Sequence, residues 1–355
     1  MVRETLTARL KQGEILSIKV LEPPLDEYAA QVGCWGNIKD DLLGGRLSSW
    51  LYTPYFVGEI DGNTVGSMSY YTPTDTKDVG VVEFVRTDEA HRQKGIASAL
   101  MSALVQRFRA QQGTALYLCT TNPIAGKLYE THGFWYHIGD GMRLVVGSAQ
   151  EFDRTYFAYE KGARIRAAHW GDLPRAAVLY NHPQPEWLIK EYFSQCFRET
   201  RFESHFVGLL RRCENNQGVA LALEAPSERL VGFGVIIRAP TYCEQHTGSL
   251  SFRIHPTYRS HAPELLEALI RHAQELGITC VSSHVAECDQ DQQQLLAHLS
   301  FVQEARLKQR LRDGDRWWDM FVYTKITAGT PRPMRDASTY YGSRQPWQTH
   351  RTESR

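Results

Sequence analysis

The stretch from Val79 to Phe134 limits what this chain can fold into more than any other. It opens on Val79-Gly80-Val81-Val82-Glu83-Phe84-Val85, an apolar run rich in β-branched residues that reads as a buried strand. A polar, glycine-containing loop follows and leads directly into a helical pattern in which Leu100, Met101, Leu104 and Phe108 share one face. Such a loop is suited to an anion. The first-turn amides of a helix have no intrahelical acceptor, and the helix dipole favours negative charge there. The loop matches neither the three-glycine dinucleotide fingerprint nor a Walker loop, which ends on Gly-Lys-Ser/Thr.

The loop Arg92-Gln93-Lys94-Gly95-Ile96-Ala97 resembles the Gln/Arg-x-x-Gly-x-Gly/Ala pyrophosphate loop of the GNAT (Gcn5-related N-acetyltransferase) superfamily. After a strand at Ala115 to Cys119, Asn122-Pro123-Ile124-Ala125-Gly126-Lys127-Leu128-Tyr129-Glu130-Thr131-His132-Gly133-Phe134 resembles that family's Asn-x-x-Ala-x-x-Leu-Tyr-x-x-x-Gly-Phe signature. The resemblance implies an acyltransferase that takes acetyl-CoA, or another acyl-CoA, as co-substrate and moves the acyl group to a primary amine of a small-molecule acceptor by direct attack.

It also implies roles for particular residues. The amides of Gln93, Lys94, Gly95, Ala97 and Ser98 would hold the pyrophosphate, with Arg92 and Lys94 adding charge. The main chain of Val85 and Thr87 would pair with the pantetheine amides like an added strand. Tyr129 would be the acid that protonates the departing sulfur, and Asn122 would bond the cofactor, cap a helix, or both. Glu83, two residues from Val85 and so expected on the same face, is the candidate base, with His91, His132 and His137 as alternatives. Trp35, Trp50, Tyr52, Tyr70 and Tyr71 are candidate linings of the acceptor cleft. No His, Cys or carboxylate spacing suggests a metal.

Around this stretch the elements read in order as a strand at Ile15 to Leu21, a helix at Leu25 to Val32, and a hairpin of Tyr55 to Ile60 with Thr64 to Tyr71. A closing strand is expected within Phe134 to Val146, and 148–162 is expected to be a connector. The layout then starts again. A strand and an Asp172-capped helix span 163 to 180, hairpin arms lie at Gly218 to Leu223 and Leu230 to Ile237, and a strand lies at Ser249 to Ile254. A helix at Glu264 to Leu276, a strand at Ile278 to Ser283, a helix at Gln292 to Leu299 and closing strands at Phe301 and Trp317 to Thr324 complete it.

Two passes through one order predict an α/β fold of two tandem GNAT-like domains, each a mixed sheet flanked by helices. The expected bounds are 1–147 for a catalytic domain, 163–326 for a degenerate one and 327–355 for a flexible tail. The second copy departs from the motif. Arg259-Ser260-His261-Ala262-Pro263-Glu264 loses the first glycine, gains a proline without an amide proton and brings a carboxylate to the cradle. Leu296 and Ser300 stand at the family's tyrosine and glycine positions.

At 355 residues, two domains are the expectation. Equal counts of Lys+Arg and Asp+Glu (40 each) give no global pull toward nucleic acid or membrane. Seven scattered cysteines without a Cys-x-x-Cys pair read as reduced thiols, and no apolar run reaches transmembrane length, so a soluble cytoplasmic protein is expected. A homodimer remains open, as do two other functions. One is transfer from a different donor such as aminoacyl-tRNA, which the tail arginines Arg332, Arg335, Arg344 and Arg351 allow. The other is a non-catalytic CoA-binding or scaffold protein.

Overall fold

The computed structural model describes residues 1–183, 187–191, 196–197 and 203–327. The first unit contains β1 (Val2–Arg9), β2 (Ile15–Leu21), a short helix α1 (Lys39–Leu43), β3 (Leu51–Tyr52), β4 (Tyr55–Ile60), β5 (Asn63–Pro73) and β6 (Val79–Thr87). It continues with α2 (Ile96–Ala110), β7 (Ala115–Cys119), α3 (Pro123–Thr131), β8 (Trp135–Ile138) and β9 (Gly141–Val145). Helix α4 (Ala149–Tyr156) leads to the second unit: β10 (Arg164–Ala167), α5 (Asp172–Tyr180), β11 (Ile189–Glu191), β12 (Cys196–Phe197), α6 (Glu203–Glu214), β13 (Gly218–Glu224) and β14 (Leu230–Arg238). It ends with β15 (Thr247–Ile254), α7 (Ala262–Glu275), β16 (Cys280–Ala286), α8 (Gln290–His298), β17 (Val302–Asp313) and β18 (Arg316–Ile326).

The two main sheets repeat one topology. The first runs β1-β2-β4-β5-β6-β7-β9-β8 and the second β10-β13-β14-β15-β16-β18-β17. In each, one neighbouring pair is parallel, β6 with β7 and β15 with β16, because a crossover helix (α2 or α7) joins those strands. The fold is therefore α/β with two tandem mixed sheets, as expected.

The parallel pair of the first sheet is short. Val79 to Val81 pair with Ala115 to Tyr117, and there the ladder stops while β6 runs on to Thr87. A bulge bends β6 away at this point. Between the pairs Ser67–Arg86 and Ser69–Glu83, β6 carries one residue more than β5, and Phe84 sits at φ 57°. The second sheet has no such bulge: β14 and β15 pair without interruption from Gly232–Ile254 to Arg238–Gly248.

Helix α5 lies between the sheets. It touches β5 and β6 on one side and β14 and β15 on the other, and all nine of its residues are buried. One apolar cluster consequently joins Tyr71, Val79 and Tyr117 of the first unit to Leu173, Tyr180 and Phe233 of the second. A separate cluster (Met68, Tyr70, Val82, Leu100, Leu104, Tyr129) fills the opposite face of the first sheet, under α2 and α3. Among the described residues no helix is long and apolar enough to cross a membrane.

Several local expectations are corrected. The helix expected at Leu25 to Val32 is only a 3-10 turn at Asp26–Tyr28, since eight residues cut off by Gly33 are too few to nucleate a stable helix. The connector contains α4, whose N-cap Ser148 accepts the Glu151 amide at 3.3 Å. The N-terminal strand β1 was not expected. Asp172 is not the N-cap of α5 but its first residue, after Gly171. Its carboxylate instead accepts both Arg166 Nη atoms at 2.7 Å and the His169 amide at 2.9 Å. The tail from 328 on, and 184–186, 192–195 and 198–202, lie outside the described residues.

Of the two buried charges in α5, Asp172 is neutralised by Arg166 of its own unit and Arg175 across the interface. Arg175, 1% exposed, donates to Asp75 Oδ1 of the first unit at 2.7 Å. Burial alone would raise the Asp75 pKa, but the Arg175 hydrogen bond and charge outweigh it and hold the carboxyl below its ordinary 3.8. A depressed carboxyl contributes stability above its ordinary pKa and loses it as pH falls through the folded value. Asp75→Asn should therefore cost about 1–2 kcal/mol at pH 7, the lower end for a buried pair because Asp75 is partly exposed. In thermal unfolding the gap between variant and wild type should shrink as the pH drops below 3.8.

Candidate active site

The loop between β6 and α2 closes on itself without using its last amides. After a 3-10 turn at Glu89–His91, Gln93 and Gly95 take left-handed conformations, at φ 65° and 97°. Gly95 is the N-cap of α2, and the first bond into the helix runs from the Ala99 amide to the Gly95 carbonyl at 3.0 Å. Among the described residues, none of the amides from Gln93 to Ser98 donates to a protein acceptor. The first turn carries no acidic side chain. A Cβ on Gly95 would meet only the Lys11 side chain at ordinary contact, so its φ, not lack of room, is what requires glycine.

The cationic side chains have protein partners. Arg92 pairs with Glu89 at 3.0 Å on the surface, and Lys94 Nζ donates to Glu14 at 2.8 Å. Ser98 Oγ lies 3.1 Å from His132 Nε2, and burial lowers the His132 pKa and keeps its ring neutral at pH 7. Lys11 was missed by the sequence reading. Its amide donates to the Lys94 carbonyl at 3.3 Å, and its side chain drapes over Gly95. A groove of about 730 Å³ between β1 and α2 ends at Gly95 and Ser98.

The slot between β6 and β7 separates the other candidates into two groups. Tyr129 is buried beside Phe134 (ring centroids 6.1 Å apart), in the cluster under α2 and α3. Asn122 caps α3, accepting the Ile124 amide at 3.0 Å. Val85 packs toward the same cluster. Glu83 lies on the other face: it pairs with Ser69, whose neighbours Met68 and Tyr70 point to the α2 side, and paired residues share a face. The expectation that Glu83 and Val85 share a face is thus wrong, because the bulge at Phe84 reverses the alternation between them. Thr87, the other expected strand contact, pairs with Gly66.

The aromatic lining does not assemble as expected either. Four of its residues form two pairs on opposite faces of the sheet: Trp35 and Tyr71 meet at 4.8 Å, with Phe84 5.2 Å from Trp35, on the Glu83 face, while Tyr52 and Tyr70 lie 6.2 Å apart on the α2 face. Tyr70 is buried under α2 with its hydroxyl on Gln111, Tyr52 joins Glu22 and Arg107, and Trp50 stacks on His169 of the second unit at 4.1 Å. Of the alternative histidines, His91 closes the 3-10 turn of the loop, and His137 Nε2 lies 3.1 Å from the Asn181 carbonyl across the interface.

In the second unit the matching places are closed. Pro256–His261 is a 3-10 turn that runs into α7 with no left-handed residue, and the Ala262 amide returns to the Arg259 carbonyl. Glu264 sits in the first turn, where it meets the helix dipole. The splay between β15 and β16 is filled by the chain itself. Strand β11 touches both strands, Leu188 and Ile189 are buried against Ala286, Leu311 and Met320, and Trp187 packs on Phe252 at 5.6 Å. Leu296 is fully buried where the first unit has Tyr129, and Ser300 keeps the left-handed turn of Gly133.

A mixed sheet that opens beside a crossover helix occurs in both units, and the left-handed turn ahead of that helix occurs only in the first. The sequence profile of the acetyltransferase (GNAT) family matches residues 26–134 and again 178–301, and the chain belongs to that family. No curated protein matches it by sequence. Among solved structures it is similar to a ribosomal-protein-alanine N-acetyltransferase from Brucella melitensis (20% identity, 46% of this chain and 99% of that one, TM-score 0.40). It is also similar to an N-acetyltransferase from Staphylococcus aureus Mu50 (18%, 47% and 99%, 0.40). A phosphinothricin acetyltransferase from Sinorhizobium meliloti, in complex with AcCoA, is similar as well (15%, 48% and 94%, 0.42).

Proposed function

We propose that the first unit is an acyl-CoA-dependent N-acyltransferase, moving acetyl from acetyl-CoA to a primary amine of a small molecule by direct attack. The observation that carries this reading is the row of amides from Gln93 to Ser98 without a protein acceptor, held open by left-handed Gln93 and Gly95. A diphosphate supplies the acceptors those amides need, and the helix dipole adds to the attraction. Bound there, the thioester supplies an activated acyl group.

The residues then divide the work by face. Val85 and Thr87 would offer main-chain groups to the pantetheine amides along the edge of β6 that β7 leaves unpaired. Arg92 and Lys94 would contribute charge only after leaving Glu89 and Glu14, so the amides are the principal grip. On the α3 side, Tyr129 would give its proton to the departing thiolate as the C–S bond breaks, and Asn122 would fix the start of α3 that carries it. On the opposite side, Glu83 would take a proton from the amine, directly or through water, as the new N–C bond forms. A slot through the sheet lets donor and acceptor approach from different faces.

Three outcomes are expected. Native mass spectrometry should show one acetyl-CoA per chain, because Trp187 to Glu191 occupy the second splay. Gly95→Val, which places a β-branched residue at φ 97°, should weaken acetyl-CoA binding at least ten-fold by calorimetry while leaving the fold intact by circular dichroism. Tyr129→Phe should bind acetyl-CoA normally and turn over about 10²-fold more slowly. A normal turnover number for that variant would remove Tyr129 from the mechanism.

A further inference from the structure

The first sheet contains a strand that the second lacks. The two orders run in step from β2 and β10 onward, and β1 stands outside the repeat. It adds little core: Leu6 and Ala8 are half-buried and its other residues are exposed. What it supplies is the turn that joins it to β2. The Leu10 amide donates to the Glu14 carbonyl at 2.9 Å and the Gly13 amide to the Leu10 carbonyl at 3.0 Å, with Gly13 at φ 92°. Buried Leu10 plugs the turn into the cluster under α2. The turn is thus held in one shape and one place.

That turn meets the loop ahead of α2. The Lys11 amide donates to the Lys94 carbonyl at 3.3 Å, and Glu14 accepts from Lys94 Nζ at 2.8 Å. The Lys11 side chain crosses Gly95, with Cγ 3.6 Å and Cε 3.9 Å from the place a Cβ there would take. Lys11 lines one groove with Gly95 and Ser98, two of the residues whose amides have no protein acceptor. Three cations therefore stand around those amides, and their pairing differs. Arg92 is bound to Glu89 and Lys94 to Glu14, so each must give up an ion pair before it can serve a ligand. Lys11 has no carboxylate partner among the described residues. It can turn its ammonium onto an anion at α2 for the entropy of its own side chain alone.

We propose that Lys11 is the cation that binds the diphosphate of the donor, and that β1 is present in this copy to bring it there. The inference rests on the transferase reading above and deepens it. The amides of residues 93–98 offer neutral donors to the phosphate oxygens, and Lys11 adds the full positive charge that no carboxylate cancels. Lys94, paired with Glu14, has a different part: it ties the turn to the loop. In the second unit no strand flanks β10 on its outer side, and the loop before α7 has no left-handed residue. The extra strand and the open loop thus occur in the same copy.

Calorimetry with acetyl-CoA on the full chain compares Lys11→Met, Lys11→Arg and Arg92→Met, with circular dichroism to check that each is folded. Lys11→Met keeps the stem that crosses Gly95 and removes the charge, and it should weaken binding at least about five-fold. Lys11→Arg should hold affinity to within about two-fold of wild type. Arg92→Met, which loses only a surface pair, should change it by less than about two-fold. The affinity of wild type should also fall more steeply with added salt than that of Lys11→Met. Unchanged binding or an unchanged salt dependence in Lys11→Met, failure of arginine to replace Lys11, or an equal loss in Arg92→Met would each overturn the assignment. If wild type binds no acetyl-CoA, the transferase reading fails instead, and inorganic pyrophosphate becomes the probe. Pyrophosphate binding that Lys11→Met weakens supports Lys11; binding that it leaves unchanged, or no binding to wild type, overturns it.

Discussion

Both sheets depend on one helix. All nine residues of α5 are buried, which no helix achieves with a single partner; a second surface must cover its other side. That surface is the face of β5 and β6 in the first unit, and the result is one core cluster shared by both units. The arrangement gives a physical reason for a second copy whose loop before α7 lacks the left-handed residues of the first. Its helix seals the first sheet beside the slot, and its Arg175 is a buried charge that Asp75 of the first unit neutralises. Removing the second unit would expose Tyr71 and Val79 to water and leave Asp75 without its guanidinium.

One inserted residue separates the two copies at the site. In the second, β14 and β15 form an unbroken ladder, so the amides and carbonyls of both strands are satisfied by each other. In the first, Phe84 at φ 57° interrupts the pairing, bends β6 and releases main-chain groups near the slot. A left-handed phenylalanine is costly, and the surrounding contacts hold it there: Trp35 at 5.2 Å on one side and Gly33, where no side chain fits, on the other. The loops differ in the same sense. Gln93 and Gly95 are left-handed and their amides have no protein acceptor, whereas His261 and Ala262 keep right-handed conformations and the Ala262 amide returns to Arg259.

What the sequence made legible was local. The strand at Ala115–Cys119 and the helix capped by Asn122 with Pro123 in its first turn follow from residues within a few positions of each other, and so does the glycine before α2. What it hid was long-range or irregular. Alternation along Val79 to Val85 placed Glu83 with Val85, and a single bulged residue reversed that, although nothing in the composition of the strand marks Phe84 as left-handed. The aromatic lining failed for a related reason: Tyr70 and Tyr71 are adjacent and must face opposite sides of β5, so both cannot wall one cleft. Helix α4 did leave a sign, Ser148 followed three residues later by Glu151, the capping pattern that precedes many helices.

A splayed parallel pair poses the same problem in both units, because each strand beyond the split presents unpaired backbone that must find a partner. The second unit solves it within the chain: β11 lies against both β15 and β16, and Leu188, Ile189 and Trp187 fill the wedge with apolar volume. An extended segment with amide groups is thus what this geometry accepts. A pantetheine arm has that character, two amides on a slender chain, and the proposed pairing with Val85 and Thr87 is the same strand addition made by a molecule that is not protein. The two copies then differ less in shape than in what completes them: the closed copy fills its split with its own chain, and the open one leaves that place to the proposed arm.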